Sequence, residues 1–251
     1  MIYLIGSSGI LANKIKDNLD KKKIISVSTK RIKGHIKTNM FKKNKVEQWI
    51  LKINEDDIVF LLSSFGNMEF HENNKLKIKN YIKFLDKNFF KNINKKTKVI
   101  FFSSDMIFDG KENLYTTQRN CKPLNEYGKA KLKIENLIRK RFHNYLILRI
   151  PKIFSKKRKD KIFPYNHIKD LKKNNIFLIS DNKYHYIDIE FLVKILFKKE
   201  MYKITSGTFN LPYGKTISRY NFLLNFMKKQ RIKFNYNKVK KICYINSKIK
   251  I

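Results

Sequence analysis

The sequence has little cysteine, proline and glycine, with 2, 4 and 8 of these residues in a chain of 251. Cys121 and Cys243 stand far apart without close-set histidines, which argues against a disulfide framework or a zinc cluster and predicts no metal site. So few cysteines also favour a reducing compartment. Long apolar runs are lacking, because lysine or asparagine interrupts each one before the ~18 residues that a membrane span needs. The sequence therefore predicts a soluble, cytoplasmic protein.

Acidic residues are also scarce, since 20 aspartates and glutamates face 57 lysines and arginines and leave a formal net charge of +37. A cation of this size attracts polyphosphates, which raises the hypothesis of a nucleic-acid binder. The excess is mostly lysine and is spread over the whole chain, whereas nucleic-acid recognition usually favours clustered arginine. We therefore disfavour nucleic acid as a partner. The basic run over 156–161 keeps that hypothesis open, and its simpler interpretation is a solvated loop.

Strand and helix patterns alternate from the start of the chain, which predicts an α/β fold with a parallel sheet. Short apolar runs predict strands over 1–5, 23–28, 57–62, 98–103, 145–150 and 175–180. Helical periods predict helices over 10–19, 46–53, 72–90, 126–141, 189–199 and 218–229. Pro151 ends the regular part. We expect one domain over 1–150 and a small portion over 151–251 that partly returns to the main sheet.

A glycine-rich turn follows the first predicted strand and opens the first helix, with the sequence Gly6-Ser7-Ser8-Gly9-Ile10-Leu11-Ala12. Glycines at this place allow a tight turn and a close approach of the backbone, and free N–H groups at the start of the helix hold a pyrophosphate. Ala12 takes the third small position, where helix and strand pack closely. The spacing predicts a dinucleotide site with contacts from Gly6, Ser8, Gly9, Ile10 and Leu11.

The end of the second predicted strand distinguishes two dinucleotides. An acidic residue there accepts a hydrogen bond from the ribose 2′-hydroxyl of NAD, whereas hydroxyl or basic residues accommodate the 2′-phosphate of NADP. The segment reads Ser28-Thr29-Lys30-Arg31, without a carboxylate. It favours NADP(H) over NAD(H), with Ser28, Lys30 and Arg31 as contacts. The alternative is that both cations are ordinary surface residues.

Two later segments supply hydroxyl and amine groups. Tyr127 and Lys131 are four residues apart on a predicted helix and so share one face. A tyrosine with its free pKa of about 10 transfers protons poorly at neutral pH, and a nearby cation lowers this pKa by favouring the phenolate. Ser104 follows a buried strand, where a hydroxyl faces the ligand crevice of a parallel sheet, although turn capping would also explain a serine there. Ser104, Tyr127 and Lys131 are candidate catalytic residues for hydride chemistry.

These segments resemble those of a known family. The glycine turn, the stretch 103–110 (SSDMIFDG) and the stretch 123–131 (PLNEYGKAK) are similar to motifs of the extended short-chain dehydrogenase/reductase superfamily. The nearest resemblance is to dTDP-4-dehydrorhamnose reductases and related NAD(P)-dependent nucleotide-sugar epimerases and reductases. It implies a Rossmann-type doubly wound sheet over 1–150 that binds NADP, and a small C-terminal substrate-binding portion over 151–251.

The resemblance also implies roles for particular residues. Catalysis is expected from Ser104, Tyr127 and Lys131, and cofactor contacts from Tyr127, Lys131, Ser63 and Ser64 in addition to the glycine turn. Two features depart from the family. Methionine at position 106 stands where the family usually has tyrosine, and the substrate-binding part is shorter than in typical members.

The function that follows from the resemblance is an NADP(H)-dependent reductase or epimerase/reductase of a 4-keto nucleotide-sugar, in surface polysaccharide synthesis. A homodimer is compatible with it. The alternative is a non-catalytic NADP-binding partner protein, as in the regulatory subunit of methionine adenosyltransferase, which resembles the same reductases. The short substrate-binding part motivates this alternative. We interpret four histidines as surface or structural residues: His71, His143, His167 and His185.

Overall fold

The computed structural model of the protein describes residues 1–38, 40, 46–63, 68–111, 115–172, 183–198, 204–211 and 215–232. No helix within these ranges is long and apolar enough to cross a membrane. The predicted strand over 175–180 and the predicted cofactor residue Ser64 lie outside them.

A seven-stranded parallel sheet forms the centre of the fold. Its strands, numbered in chain order with those described below, are β1 (Ile2–Ile5), β2 (Ile24–Ser28), β3 (Ile36–Lys37), β4 (Ile58–Leu61), β5 (Lys98–Ser104), β6 (Tyr145–Ile150) and β10 (Ser206–Asn210). Their order is β10-β6-β5-β4-β1-β2-β3, so the chain starts in the middle and winds outwards in both directions. All seven residues of β5 are buried, because both faces of the sheet are covered. The predicted Rossmann-type, doubly wound fold is confirmed.

The described helices are α1 (Ile10–Lys16), α2 (Gln48–Leu51), α3 (Met68–Asn73), α4 (Lys75–Phe84), α5 (Glu126–Arg141), α6 (Tyr165–Lys172), α7 (Ile189–Leu196) and α8 (Arg219–Lys229). Helix α5 has the bounds that its sequence pattern predicts. The side chain of Asn125 caps it by accepting a hydrogen bond from the Gly128 N–H at 2.8 Å, and its last turn is basic. The Asn125 cap and the basic last turn are both visible in the sequence, which explains why the predicted and observed bounds of α5 agree.

The prediction of a single helix over 72–90 is wrong. The segment forms the end of α3, the separate helix α4, a π-helical turn over Leu85–Phe89 and a short 3-10 turn. Asn74 interrupts it with φ −130° and ψ 39°, and its side-chain amide donates to the Phe70 carbonyl at 3.0 Å. Asparagine offers the backbone such local hydrogen bonds in competition with the helix.

Three other predicted helices are shorter in the structure, namely those over 10–19, 46–53 and 189–199. Helix α1 ends at Lys16, and the side chain of Asn18 donates to the Lys14 carbonyl just beyond it at 2.9 Å. Helix α2 covers one turn, because Glu47 before it is extended. The predicted and observed bounds of these helices differ at the helix ends, where local turns replace the last helical hydrogen bonds.

Two compact units make up the chain. Unit 1 contains Met1–Ile150 and Val193–Leu211, and unit 2 contains the described residues of 151–192 and those after 211. The core of unit 1 includes Trp49, Tyr81, Phe89, Phe101 and Ile147. The predicted catalytic and cofactor residues within the described ranges all belong to unit 1.

The described residues of unit 2 form two small sheets and the helices α6 and α8. Strand β7 (Lys152–Phe154) is parallel to β9 (Tyr186–Asp188), and β8 (Lys183–Tyr184) is antiparallel to β11 (Ile217–Ser218). Its core is aromatic and contains Phe163, Ile168, Tyr186, Leu223, Phe226 and Met227. In the basic run over 156–161, two lysines pair with acids: Lys156 with Asp188 at 3.2 Å and Lys157 with Glu190 at 3.0 Å.

Candidate active site

The glycine turn joins β1 to α1 at the carboxyl edge of the sheet. Gly6 has φ +94°, and a Cβ atom at this residue would lie 2.6 Å from the backbone nitrogen of Ser63 at the end of β4. Both its conformation and its close neighbour therefore exclude a side chain. The N–H groups of Gly6 and Ser7 donate to the Val27 carbonyl of β2 at 2.9 and 3.0 Å, which fixes the turn against the neighbouring strand.

Gly9 differs from Gly6, because neither its backbone conformation nor its neighbours exclude a side chain. It precedes α1 with φ −79° and ψ 158°, and an added Cβ would meet no atom closer than 3.6 Å. Ser8 and Gly9 are exposed, and Ile10 and Leu11 behind them are partly exposed. The surface of the turn is therefore open to a ligand. Ala12, the third small position, is buried as expected.

The segment after β2 contains the residues predicted to select NADP. Ser28 is fully buried, and its hydroxyl accepts a hydrogen bond from the Lys30 N–H at 3.0 Å. Its main-chain carbonyl accepts one from the Thr38 N–H at 2.9 Å. Ser28 thus supports the turn from inside, whereas Lys30 and Arg31 are exposed.

Ser7, His35 and Lys16 form a hydrogen-bonded group next to this segment, and the sequence analysis did not predict it. The Ser7 hydroxyl lies 2.8 Å from Nδ1 of His35 and 2.9 Å from the Val27 carbonyl. The Lys16 ammonium of α1 donates to the Ser7 carbonyl at 3.2 Å. His35 comes after Gly34, whose φ is +75°. A glycine before His35 predicts a turn, and this is the signal in the sequence that could have indicated the position of His35.

Ser63 follows β4 and lies next to Gly6. It is buried, and its hydroxyl is 2.6 Å from the phenol oxygen of Tyr81 in α4. The Tyr81 hydroxyl also lies 3.1 Å from the Ser63 carbonyl, and burial raises the pKa of Tyr81 far above its ordinary value. A neutral phenol therefore fixes the backbone on which the glycine turn rests.

Ser104 ends β5 and begins a short 3-10 turn over Asp105–Ile107. Its hydroxyl donates to the Asp105 carboxylate at 3.1 Å and accepts from the Met106 N–H at 3.2 Å. Helix α5 packs directly on this turn. A Cβ atom at Gly128 would lie 2.1 Å from the Met106 carbonyl oxygen, so glycine permits the close contact. The segments of Ser104 and Tyr127 therefore meet at the carboxyl edge of the sheet.

Lys131 is buried behind Tyr127. Its ammonium donates to the Phe102 carbonyl of β5 at 2.7 Å and lies 5.6 Å from the centroid of the Tyr127 ring. Burial lowers the pKa of Lys131 to about 7, against a smaller opposing effect of Glu135. The shared face of Tyr127 and Lys131 is thus present, but burial opposes the full positive charge on the amine that the spacing suggests.

Helix α3 holds the first turn of α5. The Glu72 carboxylate accepts a hydrogen bond from the Glu126 N–H at 2.8 Å. His71, which is 4% exposed, packs edge-on against Tyr127 with ring centroids 5.0 Å apart. The sequence showed no link between His71 and Tyr127, since 56 residues separate them. His71 is therefore a buried residue that forms part of the wall around the candidate catalytic phenol.

A buried ion pair fixes the chain that follows Ser104. Arg149, at the end of β6, lies 2.9 Å from the Glu135 carboxylate of α5, and both are almost fully buried. Its guanidinium also donates to the Thr117 carbonyl at 3.2 Å and stacks over the Phe108 ring at 5.4 Å. Breaking such a pair leaves a buried charge uncompensated. The pair therefore connects three parts of the site: the loop, α5 and the sheet.

Comparisons with known proteins agree with this architecture. The family model described as RmlD substrate binding domain matches residues 1–243. No curated protein sequence matches the chain.

Three solved structures illustrate the likeness. dTDP-4-dehydrorhamnose reductase from Bacillus anthracis str. Ames, in complex with NADP, is 16% identical, with a TM-score of 0.70 over 93% of this chain and 82% of that one. MoeE5 in complex with UDP-glucuronic acid and NAD is 13% identical, with a TM-score of 0.72 over 92% and 82%. UDP-N-acetylglucosamine 4-epimerase from Methanobrevibacter ruminantium M1, with UDP-N-acetylmuramic acid, is 18% identical, with a TM-score of 0.64 over 92% and 82%. At these identities the likeness establishes the fold.

Proposed function

The chain belongs to the RmlD substrate binding domain family, and from this membership we propose that it is an NADP(H)-dependent reductase or epimerase/reductase of a 4-keto nucleotide-sugar. Family and fold confirm the resemblance and the class predicted from the motifs, the NAD(P)-dependent reductases and epimerases of the extended short-chain type. The preference for NADP, the sugar substrate, the cytoplasmic location and the catalytic residues are parts of the proposal.

One observation carries the proposal: the contact of the turn after β5 with the first turn of α5. Because Gly128 lets the helix touch the Met106 carbonyl, the segments of Ser104 and Tyr127 adjoin. Strands β1, β4 and β5 are parallel neighbours, so the glycine turn lies at the same edge. Ligands of doubly wound sheets bind at that edge.

The residues of unit 1 fit a dinucleotide phosphate. The open turn at Ser8 and Gly9 leaves room that a side chain at position 9 would fill. Lys30 and Arg31 supply positive charge after β2, which contains no carboxylate. Ser28 contributes by fixing the turn that carries them. This donor set suits a 2′-phosphate better than a free 2′-hydroxyl, and solved relatives of the fold contain NADP in one case and NAD in another.

The chemistry follows from three side chains. When bound, NADPH supplies the hydride that reduces the keto carbon. Ser104 orients the keto oxygen by turning its hydroxyl proton from the Asp105 carboxylate to that oxygen, and Tyr127 gives its own hydroxyl proton to the same oxygen. The protonated form of Lys131 favours the phenolate that Tyr127 becomes, because its charge lies 5.6 Å from the ring. An ammonium has three donors, and the Phe102 carbonyl takes one, so another can bind a ribose hydroxyl.

The experiment is an NADPH oxidation assay with dTDP- and UDP-linked 4-keto sugars. We expect turnover by the wild type and its loss in Tyr127→Phe, with NADPH affinity unchanged. Tyr145→Phe is the matched control, because Tyr145 begins β6 at the opposite edge of the sheet. Equal turnover by Tyr127→Phe refutes the catalytic role.

The second candidate function is a non-catalytic NADP-binding partner. Met106 favours it, because a thioether, placed where the family has a phenol, cannot donate a hydrogen bond to a sugar. Tight NADP binding by the wild type without turnover on any keto-sugar, together with a co-purifying enzyme, would favour this function over the first. The homodimer stays a prediction under either function.

A further inference from the structure

Ser7 connects three elements around the glycine turn, two through its hydroxyl and one through its main-chain carbonyl. Its hydroxyl is 2.9 Å from the Val27 carbonyl of β2 and 2.8 Å from Nδ1 of His35, in the loop before β3. Its carbonyl accepts from the Lys16 ammonium of α1 at 3.2 Å. Ser7 is fully buried, whereas His35 and Lys16 are partly exposed. The buried hydroxyl of Ser7 therefore holds the imidazole and its main-chain carbonyl holds the ammonium, both at the surface of one turn.

The hydrogen bonds define the state of the imidazole. A hydroxyl has a single proton. When Ser7 donates it to the Val27 carbonyl, the hydroxyl accepts the Nδ1 proton of His35, and the neutral ring then has Nε2 without hydrogen. A second proton adds at Nε2 and leaves the bond to Ser7 intact. His35 can thus change its charge without moving.

Positive charge is concentrated at this place. Partial burial and the nearby Lys16 ammonium lower the pKa of His35, so the free ring is mostly neutral at pH 7. Burial also lowers the pKa of Lys16, with Asp17 acting weakly in the opposite sense. An anion between the two would favour the charged forms of both groups. Lys30 and Arg31 precede His35 in the same loop.

We propose that His35 and Lys16, held by Ser7, bind the 2′-phosphate of NADP(H), and that His35 takes up a proton when it does so. The inference rests on the proposed cofactor site. The adenosine ribose lies at the end of β2 in this fold, and the loop over 28–35 is that place. A phosphate monoester, with a charge of about −1.5 to −2 near neutral pH, matches the two cations, whereas the 2′-hydroxyl of NAD does not.

Proton uptake makes the cofactor preference depend on pH. The bound phosphate raises the pKa of His35 in the complex above its pKa in the free protein. Affinity for the 2′-phosphate therefore falls as the pH rises from the pKa of the free protein to the pKa of the complex. The fall approaches about tenfold for each unit between the two values. The second ionisation of the phosphate, near pH 6, acts in the opposite direction and is complete above about pH 7.

The test measures binding of 2′,5′-ADP and 5′-ADP by titration calorimetry between about pH 7 and pH 8.5, in two buffers that differ in ionisation enthalpy. These probes need no sugar substrate. The wild type should lose preference for 2′,5′-ADP as the pH rises over this range and take up a proton on binding it. His35→Gln should lose both the pH dependence of the preference and the proton uptake. Lys16→Gln should weaken the binding of 2′,5′-ADP at every pH. His143→Gln is the matched control, because His143 is an exposed histidine before β6, at the opposite edge of the sheet.

The outcomes separate this inference from the proposed function. A preference that is the same at every pH in the wild type and in His35→Gln overturns the role of His35, while the cofactor site stands. Binding of neither probe overturns the cofactor site and this inference together. A variant that unfolds is recognised by its circular dichroism, and in that case proton uptake by the wild type and by Lys16→Gln decides the question.

Discussion

Replacing Lys131 by methionine should change how the stability of unit 1 depends on pH. The amine is buried between β5 and α5 and has a pKa of about 7, against an ordinary value of 10.5. Between these values the unfolded chain is protonated at this position and the folded chain is not. Because the unfolded state binds more protons, the wild type gains stability as the pH rises through this window, and the gain is lost as the pH falls towards 7.

The size of the effect follows from the width of the window. Each pH unit inside it changes the free energy of unfolding by up to about 1.4 kcal/mol. Between about pH 7.5 and pH 9.5 the wild type should therefore gain about 2 to 3 kcal/mol that the methionine variant does not gain. Below pH 7 the wild type bears the full cost of burying the ammonium, so the methionine variant should be the more stable of the two there, although the Phe102 carbonyl loses its donor.

The assay is urea unfolding followed by the fluorescence of Trp49, the only tryptophan, which is buried in unit 1. With a slope of about 3 kcal/mol per molar urea, the midpoints should separate by about 1 M over the window. Lys133→Met is the matched control, because Lys133 is exposed on the same helix. Taking the difference between variants cancels the ionisation of other groups.

A wild type and a Lys131→Met variant whose midpoints run parallel from about pH 7 to pH 10 would contradict the reasoning. That result would mean that Lys131 keeps an ordinary pKa and is fully charged at neutral pH. Loss of NADPH turnover in the same variant is expected in either case.

The remaining predictions concern packing and buried charge. Gly128→Ala should destabilise the fold by about 1 to 3 kcal/mol in urea unfolding and reduce turnover by about 100-fold, because its methyl group overlaps the turn after β5. Gly9→Ala, whose methyl group has room, should change the free energy of unfolding by less than about 1 kcal/mol but weaken the binding of NADP(H) in a fluorescence titration. A Gly9→Ala variant that does not fold would refute this contrast with Gly128. Glu135→Gln should destabilise by about 3 to 5 kcal/mol, since it leaves Arg149 charged and buried, whereas Glu190→Gln in an exposed pair should change stability by less than about 1 kcal/mol.

The sequence predicted the elements whose signals are local. Helix α5 has its Asn125 cap, its apolar period and its basic last turn all within 17 residues, and its bounds agree with the structure. The central strands are apolar runs between breakers, and they also agree. The segment over 72–90 shows the limit, because its apolar period continues past Asn74 while the backbone does not. The competing side-chain hydrogen bond could not be inferred from periodicity.

The candidate site was only partly predictable, for a different reason. Motif spacing placed Tyr127 and Lys131 on one face, but it could not show that this face is buried against Phe102, which changes the charge of the amine. Ser7 and His35 are 28 residues apart, and His71 and Tyr127 are 56 apart, so neither contact leaves a local pattern. Contacts of this kind depend on the register of the sheet.

Strand β10 gives the first unit an unusual order of assembly. Residues 206–210 complete the sheet beside β6, and Asn210 and the carbonyl of Ile204 bind Arg149 and Lys98. During synthesis on a ribosome, the sheet formed by residues 1–150 therefore has an unpaired edge until more than 200 residues have emerged. A truncation after β6 would expose that edge to intermolecular pairing, and we expect such a fragment to aggregate instead of serving as an independent module.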